Sequence, residues 1–335
     1  MGDEQALHGA RAFSQLLGSE RASDAAGVVD RLCAVQGQDV GAARLAIRAR
    51  STGLTSTDAD SAPLVRTWLM RGTLQYVAAA DVRWLLGLLG PGNQAGGARR
   101  RKQLGLDDEL CVRAVAALRE ILSGTALGRD ELRGRLAEAG VAVPTETQAM
   151  PHLLAYAAAA GVLCLGPELS HGRPSYALLD EPAMPLDRDA ALAELARRYL
   201  RGHGPAHPAD LAAWSGLGVR DAQQAFALLD PPPSPSVSGE RAVRLLGHFD
   251  PYLLGYADKA FVVPEPFVKR VRTGGGFVTP SVVVDGRAVA TWRLTAGRVT
   301  VEPFEPLEDD VLAGIEAEVA DIARFLGSPA VLSRL

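Results

Sequence analysis

A repeated order of helices and short strand pairs constrains the fold of this chain more than any other feature. In the first copy, helices over residues 8 to 48 precede a strand pair from Trp68 to Val77. Asp81 then caps a helix that runs to Leu89. Repetition at this scale indicates architecture better than a single helix does, and helices followed by a small hairpin outline a winged helix.

The same order occurs about three times along the chain. In the second copy, a helix from Asp107 to Leu122 and two more helices precede strands at Val162 to Leu165 and Ser175 to Leu179. The third copy begins with a helix at Arg188 and ends in a loop and strand after Pro231. We therefore predict winged-helix segments at residues 1–100, 101–186 and 187–261.

The last segment, residues 262–335, has a different pattern. Strand-like runs alternate with Gly-rich turns, and Asp285-Gly286 between "SVVV" and "RAVATW" is a hairpin signal. We expect a small antiparallel sheet or barrel over residues 262–303, closed by a helix from about Asp309 to Leu326. The predicted fold class is therefore α+β.

Composition indicates a soluble cytoplasmic protein. No apolar run in the 335 residues is long enough to span a bilayer, and the start, "MGDEQ", lacks the pattern of a signal peptide. The three cysteines are far apart and contain no CxxC pair, so we expect reduced thiols. A net charge of −4 argues against indiscriminate nucleic-acid binding but allows a local basic surface.

Several stretches, in this order and spacing, together resemble one family. They are "LCAVQGQD", "LVRTWLMRGTLQYVAAADVRWLL", "RYLRGHGPAHPADLAAWSGL", "HFDPYLLGYADKA" and "GGGFVTPSVVVDGRAVATWR". They resemble the AlkZ-like winged-helix DNA glycosylases, bacterial proteins that remove alkylated bases and can unhook interstrand crosslinks. The resemblance implies three tandem winged-helix units around a concave DNA-binding channel. It also implies a monomer whose partner is double-stranded DNA carrying alkylated bases.

The family carries a catalytic Gln-x-Gln motif, which falls here on Gln36 and Gln38. Residues two apart point the same way only on an extended segment, so the pair can converge only where the preceding helix has ended. Gly37 makes such a break easy. From spacing alone, two polar residues capping a helix end are the simpler interpretation, whereas the resemblance favours catalysis. A sister branch has Gln-x-Asp, which Asp39 matches one position too late.

Two amides suit one kind of chemistry. A purine alkylated at N7 or N3 is already a cation and leaves without a strong general acid. The protein then needs to place a water below C1′ and stabilise the positive sugar, which a glutamine carbonyl can do by hydrogen bonding and by its dipole. An amide is a weak general base. We therefore expect selectivity for charged lesions.

Other residues are candidates for DNA contact. Asp250 and Tyr252, in "HFDPYLLGYADK", would line the channel with Tyr252 stacking on a base, or would form a structural turn tied by Asp250. Arg71 and Thr73, in the first hairpin, could contact phosphate, although Arg71 equally suits an exposed wing. Relatives commonly have histidine where this chain has Gln75.

A basic cluster follows the flexible sequence "GPGNQAGG". We interpret it as a mobile loop that contacts phosphate, with a solvated linker as the alternative. Its members are Arg99, Arg100, Arg101 and Lys102.

The remaining motifs exclude several functions. His203 and His207 are separated by Gly204-Pro205, which argues against a helical metal pair, and no dinucleotide or Walker pattern occurs, so we expect no metal or cofactor. No lysine suits a Schiff base, which predicts a monofunctional glycosylase. Two alternatives stay open: a non-catalytic winged-helix regulator, and a resistance protein that sequesters a DNA-alkylating natural product or its adduct.

Overall fold

Helices and two sheets build the structure, a computed structural model that describes residues 2–145, 148–169, 173–180, 186–230, 242–258 and 261–333. The predicted α+β class is confirmed. The helices are α1 (Gly2–Ser14), α2 (Ala25–Leu32), α3 (Val40–Ala49), α4 (Ser56–Asp60), α5 (Val82–Gln103), α6 (Asp108–Ile121), α7 (Arg129–Glu138), α8 (Ala149–Ala159), α9 (Arg188–His203), α10 (Pro208–Ser215), α11 (Val219–Ala227), α12 (Pro251–Leu254), α13 (Val268–Val271) and α14 (Asp309–Leu326). The strands are β1 (Val35–Gln36), β2 (Leu64–Trp68), β3 (Leu74–Ala78), β4 (Ala126–Gly128), β5 (Leu163–Leu165), β6 (Ser175–Leu178), β7 (Val243–Leu246), β8 (Ser281–Val284), β9 (Arg287–Thr295), β10 (Arg298–Pro303) and β11 (Val331–Leu332).

The chain divides into two compact units. Unit 1 comprises Met1–Pro63, Ala193–Trp214 and Gly218–Leu335, and unit 2 comprises Leu64–Leu192 and Ser215–Leu217. These limits cross the four predicted segments.

Unit 2 joins the first two predicted hairpins in one sheet. Its strands run in the order β3-β2-β5-β6-β4, with β2 and β5 paired at Arg66 and Leu165. The strand β4 pairs antiparallel with β6, so helices α7 and α8 lie between paired strands in the chain. Gly90 of α5 lies so close to α8 that a Cβ atom there would be 2.3 Å from the carbonyl oxygen of Ala159. This approach requires glycine.

The C-terminal part of unit 1 is a five-stranded sheet in the order β11-β10-β9-β8-β7. The hairpin predicted at Asp285-Gly286 is confirmed, and both residues have positive φ, 48° and 84°, as a two-residue hairpin turn of this kind requires. Helix α14 covers the predicted residues, and Gly327 follows it in the left-handed region with φ 62°. The apolar core between α14 and the sheet includes Trp292 and Ile315.

Two expectations need correction or extension. The predicted loop "GPGNQAGG" and the basic cluster after it are helical: α5 continues through Pro91 to Gln103 instead of ending near Leu89. The strand β7, predicted within residues 187–261, pairs with β8 of the next predicted segment. The loop expected after Pro231 lies outside the described residues, at 231–241.

Helix α3 is fixed in unit 1 by two fully buried arginines at its C-terminal end. Arg50 donates to both carboxylate oxygens of Asp250, at 2.9 and 2.7 Å, and to Gln15 Oε1 at 2.9 Å. Arg48 donates to Glu318 at 2.8 Å and to Asp321 at 3.0 Å. Burial lowers the pKa of Arg48, but the charges and hydrogen bonds of these two carboxylates outweigh burial and raise the pKa above its ordinary value.

We predict that Asp250→Ala lowers the free energy of unfolding by about 3–5 kcal/mol, because it leaves Arg50 charged and unpaired in the interior. Urea unfolding measures the change. The surface pair Arg44–Asp60, with side chains 33% and 45% exposed, supplies the control: Asp60→Ala is expected to cost at most about 1 kcal/mol. Equal small losses in both variants would contradict the assignment of Asp250 as an anchor.

A second prediction concerns His203, which is fully buried and stacks on Tyr199 with ring centroids 4.7 Å apart. Burial, and then the charge of Arg50, lower the pKa of His203 to about 3. His203 is therefore protonated near pH 6.5 in the unfolded chain but only near pH 3 in the folded chain.

The free energy of unfolding should therefore decrease as the pH is lowered from 6.5 to about 3. The contribution from His203 is about 1.4 kcal/mol per pH unit. Urea unfolding of the wild type and of His203→Gln is measured at pH 7, 5.5 and 4.5. The carboxylates titrate in both proteins, so their effect cancels in the stability difference and the contribution of His203 remains. The stability difference between the two proteins should narrow at low pH. A constant difference would contradict a buried neutral histidine.

Candidate active site and DNA-contacting residues

The segment between α2 and α3 carries the two glutamines. Asp24 caps α2 by accepting a hydrogen bond from the Gly27 amide at 2.7 Å. The helix ends at Leu32, and Cys33 follows it with a positive φ of 64°. Gln36 then lies on the two-residue strand β1, and Asp39 caps α3 by accepting from the Ala42 amide at 2.9 Å. The helix has thus ended before the pair, as the two-residue spacing requires.

The two amides meet in this connection. Gln36 Nε2 donates to Gln38 Oε1 over 3.4 Å. Gln36 is 9% exposed, whereas Gln38 is an exposed residue. Because one amide is buried and the other faces the surface, the pair is a fixed neutral dipole with an accessible end. Such a pair can orient a water molecule and favour positive charge without itself ionising.

Asp250 and Tyr252 lie in the interior. Asp250 pairs with Arg50 and also accepts from the Tyr252 amide at 2.9 Å, so that it caps α12. The Tyr252 hydroxyl donates to Gly286 O at 2.8 Å, and burial raises the pKa of this tyrosine well above its ordinary value. Both side chains are fully buried. Stacking on a base requires an exposed ring, so the geometry favours the structural turn over the channel-lining interpretation.

The first hairpin presents Arg71 at its tip. Arg71 is exposed and has a positive φ of 54°, a rare conformation for a residue with a side chain. Thr73 Oγ1 donates to Met70 O at 3.0 Å and accepts from Gln75 Nε2 at 2.8 Å. Gln75 is only 4% exposed. Gln75 therefore supports the hairpin through Thr73, and Arg71 is the surface residue of the set.

The basic cluster lies on the last turns of α5. Arg99, Arg100 and Lys102 are exposed. Arg101 is 5% exposed, and its guanidinium lies 4.4 Å from the centre of the Tyr156 ring. The helix turns this one residue inward, so only its three neighbours are available for phosphate.

Within the described residues, no group of three or more His, Cys, Asp or Glu side chains could hold a metal ion. Among the helices of the same ranges, none is long and apolar enough to cross a membrane.

Sequence reasoning missed Arg48 and Arg50, which fix the C-terminal end of α3, the helix that follows Gln38. The available signal was two arginines in the apolar stretch "LAIRAR". Their partners, Glu318 and Asp250, are 270 and 200 residues away in the chain, so no local pattern could identify them.

Comparison with known proteins identifies the class of this protein as that of the DNA glycosylases. Residues 29–325 match the family described as DNA glycosylase AlkZ-like, and the protein belongs to that family. This confirms the resemblance.

A similar protein and a similar solved structure both come from Streptomyces sahachiroi. The chain is 28% identical over 356 aligned residues to an interstrand DNA cross-link repair glycosylase, with 93% of this chain and 94% of that protein covered. The solved structure of the DNA glycosylase AlkZ has a TM-score of 0.82 at 24% identity, covering 98% of this chain and 99% of that one. At this identity the structural match establishes the fold.

We predict that replacing Arg99, Arg100 and Lys102 together with alanine weakens duplex binding similarly for all sequences. Removing one ionic interaction with a phosphate should reduce the slope of log affinity against log salt concentration by about 0.9. Fluorescence anisotropy between about 50 and 200 mM salt measures this slope. Arg298→Ala, an exposed arginine on β10, is the control for the change in charge.

Arg101→Ala should behave differently, because its side chain packs inside unit 2: we expect a lower urea midpoint and an unchanged salt slope. A sequence-selective decrease in binding by the triple variant, or an unchanged slope, would contradict phosphate binding by this turn of α5.

Proposed function

We propose that the protein hydrolyses the N-glycosidic bond of cationic, bulky alkylated purines in DNA, including interstrand crosslinks or natural-product adducts, in DNA repair or self-resistance. The observation that carries the proposal is the meeting of Gln36 and Gln38 at 3.4 Å in the family motif. The name of the similar cross-link repair glycosylase supports the substrate class.

The chemistry follows from the charge of the lesion. The bond between C1′ and the purine nitrogen breaks with its electron pair moving to the purine, which neutralises the cationic base. The sugar is left as an oxocarbenium-like cation, and a water oxygen bonds to C1′ as its proton departs to solvent. The amide pair positions this water and places carbonyl dipoles towards the positive sugar. Normal bases, which are neutral leaving groups, lack this activation.

The architecture of unit 2 supports DNA binding. Helix α6, strand β4, helices α7 and α8, and the hairpin β5–β6 follow the order of a winged helix, with β4 paired to the last strand. We propose three such units around a concave channel that a monomer uses to hold double-stranded DNA in the cytoplasm. The chain has only three lysines and none in residues 31–50, which supports a monofunctional hydrolase.

Mutation of the pair tests the proposal. Gln36→Ala and Gln38→Ala should each lower single-turnover base release by about 30- to 1,000-fold, since one positioned dipole contributes roughly 2–4 kcal/mol. The double variant should lose less than the sum, because both amides act on one water. Gln38→Asp should retain some activity. The substrate is a duplex with one N7-alkylguanine, scored as abasic sites and, separately, as strand breaks.

Gln5→Ala, an exposed glutamine on α1, is the matched control and should match the wild type. In all variants, duplex affinity should stay within about twofold of wild type. The free energy of unfolding in urea should stay within about 0.5 kcal/mol of wild type. Normal base release by both single variants would exclude catalysis by the pair. Binding without release by the wild type, on every N7- and N3-adduct tried, would favour the regulator or sequestration alternatives.

A further inference from the structure

Three aromatic rings of unit 1 form a cluster outside the glutamine pair. The centroid of the His248 ring lies 4.7 Å from that of Phe277 and 6.2 Å from that of Phe249. Phe249 and Phe277 meet edge to face, 5.5 Å apart. Phe277 is 42% exposed, and His248 and Phe249 are half-buried. The cluster therefore presents an accessible aromatic surface on a supported base.

The backbone at both sides of the cluster is unusual. Phe249 has φ 54°, a conformation that costs of the order of 1–3 kcal/mol for such a residue and that clusters at functional sites. Phe277 follows Gly274, Gly275 and Gly276, which all have positive φ and open space on the side where a side chain would lie. The short excursion is tied at its base, where the Thr279 amide donates to Val271 O at 2.8 Å. Phe277 thus follows a narrow glycine turn, and its ring contacts His248 and Phe249.

His248 offers a directed polar atom within this surface. Its Nδ1 lies 3.1 Å from Val278 O. A carbonyl oxygen only accepts, so Nδ1 carries the proton and Nε2 is the acceptor of the neutral ring. The histidine therefore combines a stacking face with one fixed hydrogen-bonding edge.

Helix α3, which begins directly after the glutamine pair, also supports the segment that carries His248 and Phe249. Gly247, which precedes His248, lies against α3: a Cβ atom there would be 3.2 Å from Leu45 Cβ and 3.5 Å from Ala42 O. Ala42 is the residue whose amide Asp39 caps, about one helical turn from Gln38. On the other side of the cluster, Asp250 is held by Arg50 from the opposite end of the same helix. The segment 247–250 is thus fixed to α3 at two points.

We propose that His248, Phe249 and Phe277 form a subsite that receives an unstacked nucleobase beside or opposite the lesion, with Phe277 stacking on the base and His248 Nε2 at its polar edge. This deepens the proposed function and rests on it. Aromatic stacking accepts every base, which suits an enzyme that recognises damage in any sequence. The subsite holds the duplex open while the amide pair acts at the sugar.

The test uses the full chain and a duplex with one 2′-fluoro-stabilised 7-methylguanine, which is bound but not hydrolysed. 2-Aminopurine is placed in turn beside and opposite the adduct, since its fluorescence rises when it leaves the base stack. The variants are Phe277→Leu, which keeps apolar volume without a ring, and His248→Asn, which keeps a side-chain amide for Val278 O. The matched control is Phe304→Leu, from the separate stacked pair Phe267–Phe304.

Wild type and Phe304→Leu should raise the fluorescence at one of the two positions. Phe277→Leu should lose at least half of that rise and bind about 5- to 100-fold more weakly. His248→Asn should lose affinity to a smaller extent, about two- to tenfold. Far-UV circular dichroism and urea midpoints confirm folding, which is expected to be unaffected at the exposed position 277.

Undiminished fluorescence and affinity in both folded variants would overturn the subsite, as would equal losses in Phe304→Leu. The proposed function is judged separately, on hydrolysable 7-methylguanine duplex. If the wild type releases base but both variants show a normal fluorescence rise and normal affinity, the glycosylase proposal stands and the subsite fails. If the wild type releases no base, the glycosylase proposal fails, and the fluorescence result still decides whether the cluster receives a base.

Discussion

The burial of two arginines at one end of α3 is the constraint on which unit 1 depends. A fully buried guanidinium needs a carboxylate, and both arginines pair with carboxylates from distant parts of the chain: Arg48 with Glu318 and Asp321, and Arg50 with Asp250. Glu318 attaches α3 to α14, and Asp250 attaches it to the turn before α12. Apolar residues of equal volume often match a buried ion pair in stability. We therefore interpret the main effect of these pairs as fixing one geometry of α3.

This anchorage connects structure to the proposed chemistry. An amide pair that positions water contributes only if its geometry is held closely, because an error of about 1 Å can cost about 100-fold in rate. Gln38 immediately precedes Asp39, the cap of α3. The helix, which is held at its C-terminal end by the two arginines, therefore also fixes the position of the candidate site at its N-terminal end. The same helix supports Gly247 and, through Arg50, Asp250, which places the aromatic cluster and the glutamines on one support.

Elements with local causes could be predicted from the sequence. The Asp285-Gly286 hairpin, the strand pair around Arg71-Gly72 and the closing helix all follow from turn chemistry or hydrophobic period. The extension of α5 beyond Leu89 was not predicted, because it depends on packing within unit 2: Gly90 fits against α8, and Arg101 lies over Tyr156. The convergence of Gln36 and Gln38 followed from spacing, whereas the burial of Asp250 and Tyr252 depends on Arg50 and Gly286, which no local pattern reveals.

The central claim is that the glutamine pair stabilises a positively charged sugar. Its most direct test is the affinity for duplexes carrying a cationic pyrrolidine abasic analogue against a neutral tetrahydrofuran analogue of the same shape. The wild type should prefer the cationic duplex by at least about tenfold, and Gln38→Ala should lose most of this preference, about 1.4 kcal/mol. Equal affinity of the wild type for both analogues, or a preference that survives in Gln36→Ala and Gln38→Ala, would contradict the account.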